Sequence, residues 1–274
     1  MVRTSKGSGK PLMLMVHGFP EAWFSWRAQM AAFRDQYEIV AIDMRGYGVS
    51  SKPPGRAPYH MPELVADVNA VAGHLLEEAG QEKLVLVGHD WGANTCWGAA
   101  ATAPHLFSRL AIHCVPHPEC FLRNMDGDQF ARSWYIFAFQ VPKLAEWALC
   151  ANDYQLLEEV LTKPPGGCTT PGAYIERYKQ AFGRPGAATA AINFYRRVID
   201  LASRYPAPAL QRVPTMVVWA ENDTALGQQL LRGIERYVES VRVEVLPGSS
   251  HWVQQDRPEE VNRLLASFLG AAAR

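Results

Sequence analysis

Short apolar runs alternate along the chain with longer segments of helical period. Six runs recur, at Leu12–Val16, Glu38–Ile42, Leu84–Val87, Leu110–Val115, Thr215–Trp219 and Val241–Leu246. Each is bounded by turn residues and is apolar on both faces, the pattern of strands buried in a parallel sheet. Between the second and third, MPELVADVNAVAGHLLEEAG puts Leu64, Val68, Val71 and Leu75 on one helical face. Pro62 suits its first turn and Gly80 its end. Strand and helix in alternation predict a doubly wound α/β fold.

The rhythm breaks after Val115. From about Pro116 to Leu210 no comparable buried strand is expected, and the segment is rich in aromatics with helical patterning. Either it is further helical core, or it is a helical cap roofing an apolar pocket at the strand C-termini. The second reading divides the chain into a first core part (1–115), a cap (116–210) and a second core part (211–274).

Composition narrows the partners. Of 274 residues, Lys+Arg and Asp+Glu number 27 each, so neither nucleic acid nor an anionic surface is indicated as a partner. The polar start, MVRTSKGSGK, lacks a signal-peptide core, and no run is long enough to span a bilayer. Five scattered cysteines (Cys96, Cys114, Cys120, Cys150, Cys168) form no metal-binding spacing and read as reduced thiols. A soluble, cytoplasmic protein is expected, monomeric or homodimeric.

The chemistry starts at LVLVGHDWGANTC, where Gly88-His89-Asp90-Trp91-Gly92 has the form of a nucleophile elbow with Asp90 at its centre. An ordinary strand–turn–helix with an Asp N-cap would look the same. Two later segments fit the order nucleophile, acid, histidine. Asp223 follows a strand in VVWAENDTALG, with Glu221 as the competing acid, and His251 follows the last strand in VLPGSSHWVQQDRPEEV. The other histidines read as structural or solvated, His89 and His113 at strand ends having no evident partner. His17-Gly18 after the first strand is a turn, or it presents the Phe19 amide opposite that of Trp91 as a pair of oxyanion donors. The Phe19–Pro20 bond is a candidate cis peptide.

Taken together, HGFP, DMRGYGVSSKP, GHDWG, SWYIFAFQVP, NFYRR, AEND and SHWVQQDRPEEV resemble the α/β-hydrolase-fold epoxide hydrolases, in the family's order from about residue 11 onward. The resemblance implies an α/β-hydrolase fold with an inserted helical cap. It also implies two cap tyrosines that donate to the epoxide oxygen, mapped to Tyr135 and Tyr195. The implied reaction opens an apolar epoxide by attack of Asp90. Water activated by His251 and Asp223 then hydrolyses the ester to a vicinal diol, a detoxifying step that needs no cofactor and no metal. The expected lining of the pocket is Phe19, Trp91, Trp134, Phe139, Phe194 and Trp252. Asp90-Trp91 also resembles haloalkane and fluoroacetate dehalogenases, in which side-chain N–H groups such as those of Trp91 and Trp134 would hold a halide. One departure stands out: family members usually carry two further strands before the HGFP strand, where this chain has about eleven polar, Gly-rich residues.

Overall fold

A computed structural model describes residues 1–163, 170–198 and 210–270. Seven strands form one sheet: β1 (Val2–Arg3), β2 (Leu12–Val16), β3 (Glu38–Ile42), β4 (Leu84–His89), β5 (Phe107–His113), β6 (Thr215–Ala220) and β7 (Val241–Leu246). Their spatial order is β1-β3-β2-β4-β5-β6-β7, and every pairing is parallel except β1 with β3. The crossover helices are α1 (Arg27–Phe33), α2 (Met61–Ala79) and α3 (Trp91–Thr102).

Successive strand residues point to opposite faces, and the core divides accordingly. Leu12, Leu14, Val40, Leu86, Ile112 and Val217 pack with α2 and α3 in one apolar cluster. Met13, Met15, Ile39, Val85, Ala111 and Met216 pack on the other face with α1. The last helix, α11 (Pro258–Leu269), also covers that second face through Val261 and Leu265. Burial on both faces explains why these strands read as continuous apolar runs rather than as alternating ones.

Between β5 and β6 the chain forms α4 (Pro118–Arg123), α5 (Gly127–Arg132), α6 (Trp134–Ala138), α7 (Leu144–Thr162, kinked at Ala151–Tyr154), α8 (Gly172–Phe182) and α9 (Ala187–Val198). A short α10 (Val253–Asp256) follows β7. The insertion packs over the C-terminal ends of the strands, where Tyr195 meets Phe19 and Trp91 and Asn193 bonds the Gly55 carbonyl. The expected cap overlaps this insertion, but its residues 164–169 and 199–209, Cys168 among them, lie outside the described residues.

The sheet does gain a strand ahead of the HGFP segment. Val2 and Arg3 pair with Ala41 and Val40, and Arg3 bonds Glu38 and Glu78. Pairing with an available sheet edge, rather than apolar pattern, creates this two-residue strand.

Candidate active site

Asp90 follows β4 and precedes α3, in a backbone conformation (φ 49°, ψ −124°) that a side chain disfavours. The turn is possible because its neighbours are small. A methyl group built on Gly92 would overlap the carbonyls of Val16 and His17, and one on Gly18 would overlap the Asp90 side chain. The elbow therefore sits hard against the end of β2. There the Phe19 N–H donates to Asp90 Oδ1 at 2.6 Å, next to a cis Phe19–Pro20 bond. Trp91 is the first residue of α3, so its N–H has no acceptor within the helix.

The structure brings the predicted acid and histidine to the same place. His251 Nε2 lies 3.4 Å from Asp90 Oδ2, and its Nδ1 lies 2.6 Å from Asp223 Oδ2. Asp223 is itself fixed: its Oδ1 accepts from the N–H groups of Ala225 and Leu226, and Arg132 donates to its main-chain carbonyl. Glu221, the competing acid, is exposed and accepts from the Gly248 N–H instead.

Burial opposes charge on both partners, but the partners outweigh it. Next to Asp223 and Asp90, His251 is held well above the usual imidazole range. Asp90, despite its own burial, is held below the usual carboxylate range by His251, His89 and the Phe19 amide.

Tyr135 and Tyr195, distant in sequence, meet with ring centroids 5.7 Å apart. Phe19, Trp91 and Phe139 pack edge-on to Tyr195 at 5.0 to 5.3 Å. Burial, then the charge of Asp90, push both phenols above their usual range, so both remain neutral O–H donors. Phe182, which the sequence did not single out, completes this shell against Phe19 at 6.0 Å.

Two expected lining residues sit elsewhere. Trp134 is 68% exposed, since its helix presents to the shell the face that carries Tyr135. Phe194 lies in the core among Tyr47, Tyr59 and Trp91. Trp252 is buried beside His251, their rings 5.4 Å apart. His89 also corrects the expectation, because it does have partners: Nδ1 is 2.8 Å from Glu21 Oε2 and Nε2 is 2.9 Å from the His251 carbonyl oxygen. Both lie far away in sequence, so local spacing gave no sign of them.

This arrangement of strand ends has known counterparts. A family model for the α/β hydrolase fold matches residues 11–258. Epoxide hydrolase 4 of Homo sapiens is 35% identical over 270 residues, covering 95% of this chain and 73% of its own. The chain belongs to the α/β-hydrolase-fold epoxide hydrolases. Epoxide hydrolase A of Mycobacterium tuberculosis is 30% identical, with 95% of this chain and 91% of that protein covered. Among solved epoxide hydrolases, the Bacillus megaterium enzyme in complex with an inhibitor superposes with a TM-score of 0.87 at 30% identity, covering 98% of this chain and 96% of that one. Among the described residues of this family member, no helix is long and apolar enough to cross a membrane.

Proposed function

We propose that this chain hydrolyses an apolar epoxide to a vicinal diol through an ester on Asp90. The observation that carries this reading is the meeting of Tyr135 and Tyr195 inside the aromatic shell that also holds Asp90 through Phe19 and Trp91. An alkoxide is a poor leaving group, so ring opening needs hydrogen-bond donors on the epoxide oxygen, and two neutral phenols supply them. A halide would need N–H donors instead, and Trp134, one of the two indoles considered for that role, stands 68% exposed.

In the first half-reaction Asp90 Oδ2 attacks an epoxide carbon, a C–O bond forms, and the ring C–O bond breaks. The departing oxygen takes a proton from one tyrosine, which is later reprotonated from solvent. Oδ1, on the Phe19 N–H, becomes the ester carbonyl oxygen. In the second half-reaction His251 Nε2 takes a proton from water, and the hydroxide adds to the ester carbon. The amides of Phe19 and Trp91 stabilise the tetrahedral oxyanion. Collapse releases the diol, whose second oxygen regains its proton from His251, and the proton left on the added hydroxyl passes to solvent as the Asp90 carboxylate is regenerated. Within this proposal the insertion between β5 and β6 acts as a cap over the core, and Asp90, His251 and Asp223 act as the triad. Cys96, Cys114 and Cys120 are buried free thiols, which suits a reducing compartment such as the cytoplasm.

The test is a single turnover in ¹⁸O-labelled water, with aryl and aliphatic epoxides run beside haloalkanes and fluoroacetate. The first diol is expected to carry unlabelled oxygen from Asp90. A fully labelled first diol rejects the ester, and turnover of halides alone rejects the substrate class.

A further inference from the structure

Glu21 stands two residues beyond Phe19 and is 2% exposed. Its Oε1 accepts from the side-chain amides of Gln254 (3.0 Å) and Gln255 (2.8 Å). Its Oε2 accepts from the Gly18 N–H at 3.4 Å and faces His89 Nδ1 at 2.8 Å. The other nitrogen of the fully buried His89 ring faces the His251 carbonyl oxygen at 2.9 Å. A carboxylate and a carbonyl only accept, so satisfying both contacts takes a proton on each ring nitrogen. Asp90 on the following residue adds a further negative charge that favours the imidazolium.

Building on the ester mechanism above, we propose that Glu21 and His89 form a carboxylate–imidazolium pair that acts as a positioning device for the catalytic residues. One buried carboxylate ties together the Phe19 loop, the elbow strand and the segment after His251. The cationic ring centroid lies 4.8 Å from that of His251, with the balancing carboxylate on its far nitrogen. The cation is therefore the nearer charge, and it opposes a proton on His251. It also supports the ionised form of Asp90.

The other groups facing His251 are Asp90, Asp223 and, from the end of β5, the thiol of Cys114. Arg132 reaches the Asp223 carbonyl, and the neutral phenols of Tyr135 and Tyr195 lie beyond Asp90. His89 is also within electrostatic reach of His113, and Asp256 accepts from the Ser250 N–H beside His251.

The test uses Glu21→Gln in the whole protein. The new amide can donate to a neutral His89 and still accept from Gln254 and Gln255, so those three hydrogen bonds persist, only the long one from the Gly18 N–H is lost, and both charges vanish. Histidine ¹⁵N NMR is expected to show His89 protonated on both nitrogens in the wild type and on Nε2 alone in the variant. The midpoint of His251 is expected to move up by about one pH unit, and the acid limb of ester hydrolysis with it. His89→Gln, which keeps a donor for the His251 carbonyl, is a second variant expected to move the midpoint in the same direction. A neutral His89 in the wild type, or an unmoved His251 midpoint in either folded variant, overturns the proposal. Mass spectrometry of the Asp90 peptide tests ester formation separately, so failure of the parent mechanism would appear there and leave the NMR result standing.

Discussion

His251 in the resting protein lies between two carboxylates, and in the proposed mechanism only one of them outlasts the first chemical step. Esterification of Asp90 removes the negative charge 3.4 Å from Nε2, while Asp223 stays on Nδ1. A nearby opposite charge typically shifts a group by roughly 1–3 units, so the His251 midpoint should fall by about that much once the ester forms. In the proposed mechanism, alkylation thereby turns a proton-holding imidazole into a base when water has to be activated. The expected outcome is a lower His251 midpoint by NMR in protein trapped with a slowly hydrolysed epoxide than in free protein. His251→Gln should still alkylate, because Asp90 needs no base for that step, but hydrolysis should slow by about 10² to 10⁴. An Asp90 adduct accumulating in the mass spectrum checks this, and an unmodified variant after exposure would contradict it. At this scale the sequence pointed to three residues at strand ends that the fold brings together: Asp90, Asp223 and His251. It concealed Glu21 and His89, because a buried pair is defined by contacts between segments and not by either segment's pattern.

Elements bring the two tyrosines together, and the connection between them is specific. Arg196, next to Tyr195 on α9, is 7% exposed and donates to both oxygens of Glu146 on α7, at 2.6 and 3.0 Å. It also donates to the Phe139 carbonyl, while the Gln140 side chain donates to the Tyr195 carbonyl. The turn after α6, which follows Tyr135, is thereby clamped to the helix that carries Tyr195. Losing these hydrogen bonds around a half-buried Glu146 costs about 1–3 kcal/mol, and lysine cannot reproduce the two-pronged contact. Arg196→Met is expected to lower thermal stability and slow alkylation about 10- to 100-fold, with Arg196→Lys only a partial rescue. Hydrolysis of a preformed ester, which depends on core residues, should change much less. Stopped-flow Trp fluorescence separates the two steps, and wild-type alkylation in a destabilised variant would reduce the clamp to a structural role. The pattern predicted the six main strands: in five, burial on both faces writes itself into composition, while β7, partly exposed at the sheet edge, alternates Val with Arg and Glu. It missed their ends where backbone geometry decides: β5 stops at His113, since Cys114 turns to φ 55°, and β4 runs on to His89 to meet it.

On the scale of the whole molecule, the parallel sheet gathers residues from four strand ends, and their order along the chain is what made the family legible before any coordinates. What the order of motifs did not convey is how the buried histidines weigh on stability. Burial, reinforced by the nearby His89, holds His113 down at about 3, and burial holds His117 at about 4. Between these values and about 6.5, the unfolded chain binds protons that the folded one refuses, so stability rises with pH across that window. Each such histidine contributes a slope of about 1.36 kcal/mol per pH unit there. His251 acts in the opposite direction. Its raised folded value adds stability that is complete below about 6.5 and is lost as pH climbs through that folded value. The protein should therefore lose stability on acidification well before its carboxylates titrate. His113→Gln retains a donor for the Gly88 carbonyl, which the His113 ring now meets at 3.2 Å, but has no proton to gain. Urea unfolding at intervals from pH 4.5 to 6 should show its stability falling less steeply than the wild type's, by about 1.36 kcal/mol per pH unit. Equal slopes would mean that His113 already binds its proton in the folded state, and the acid sensitivity would have to come from another group.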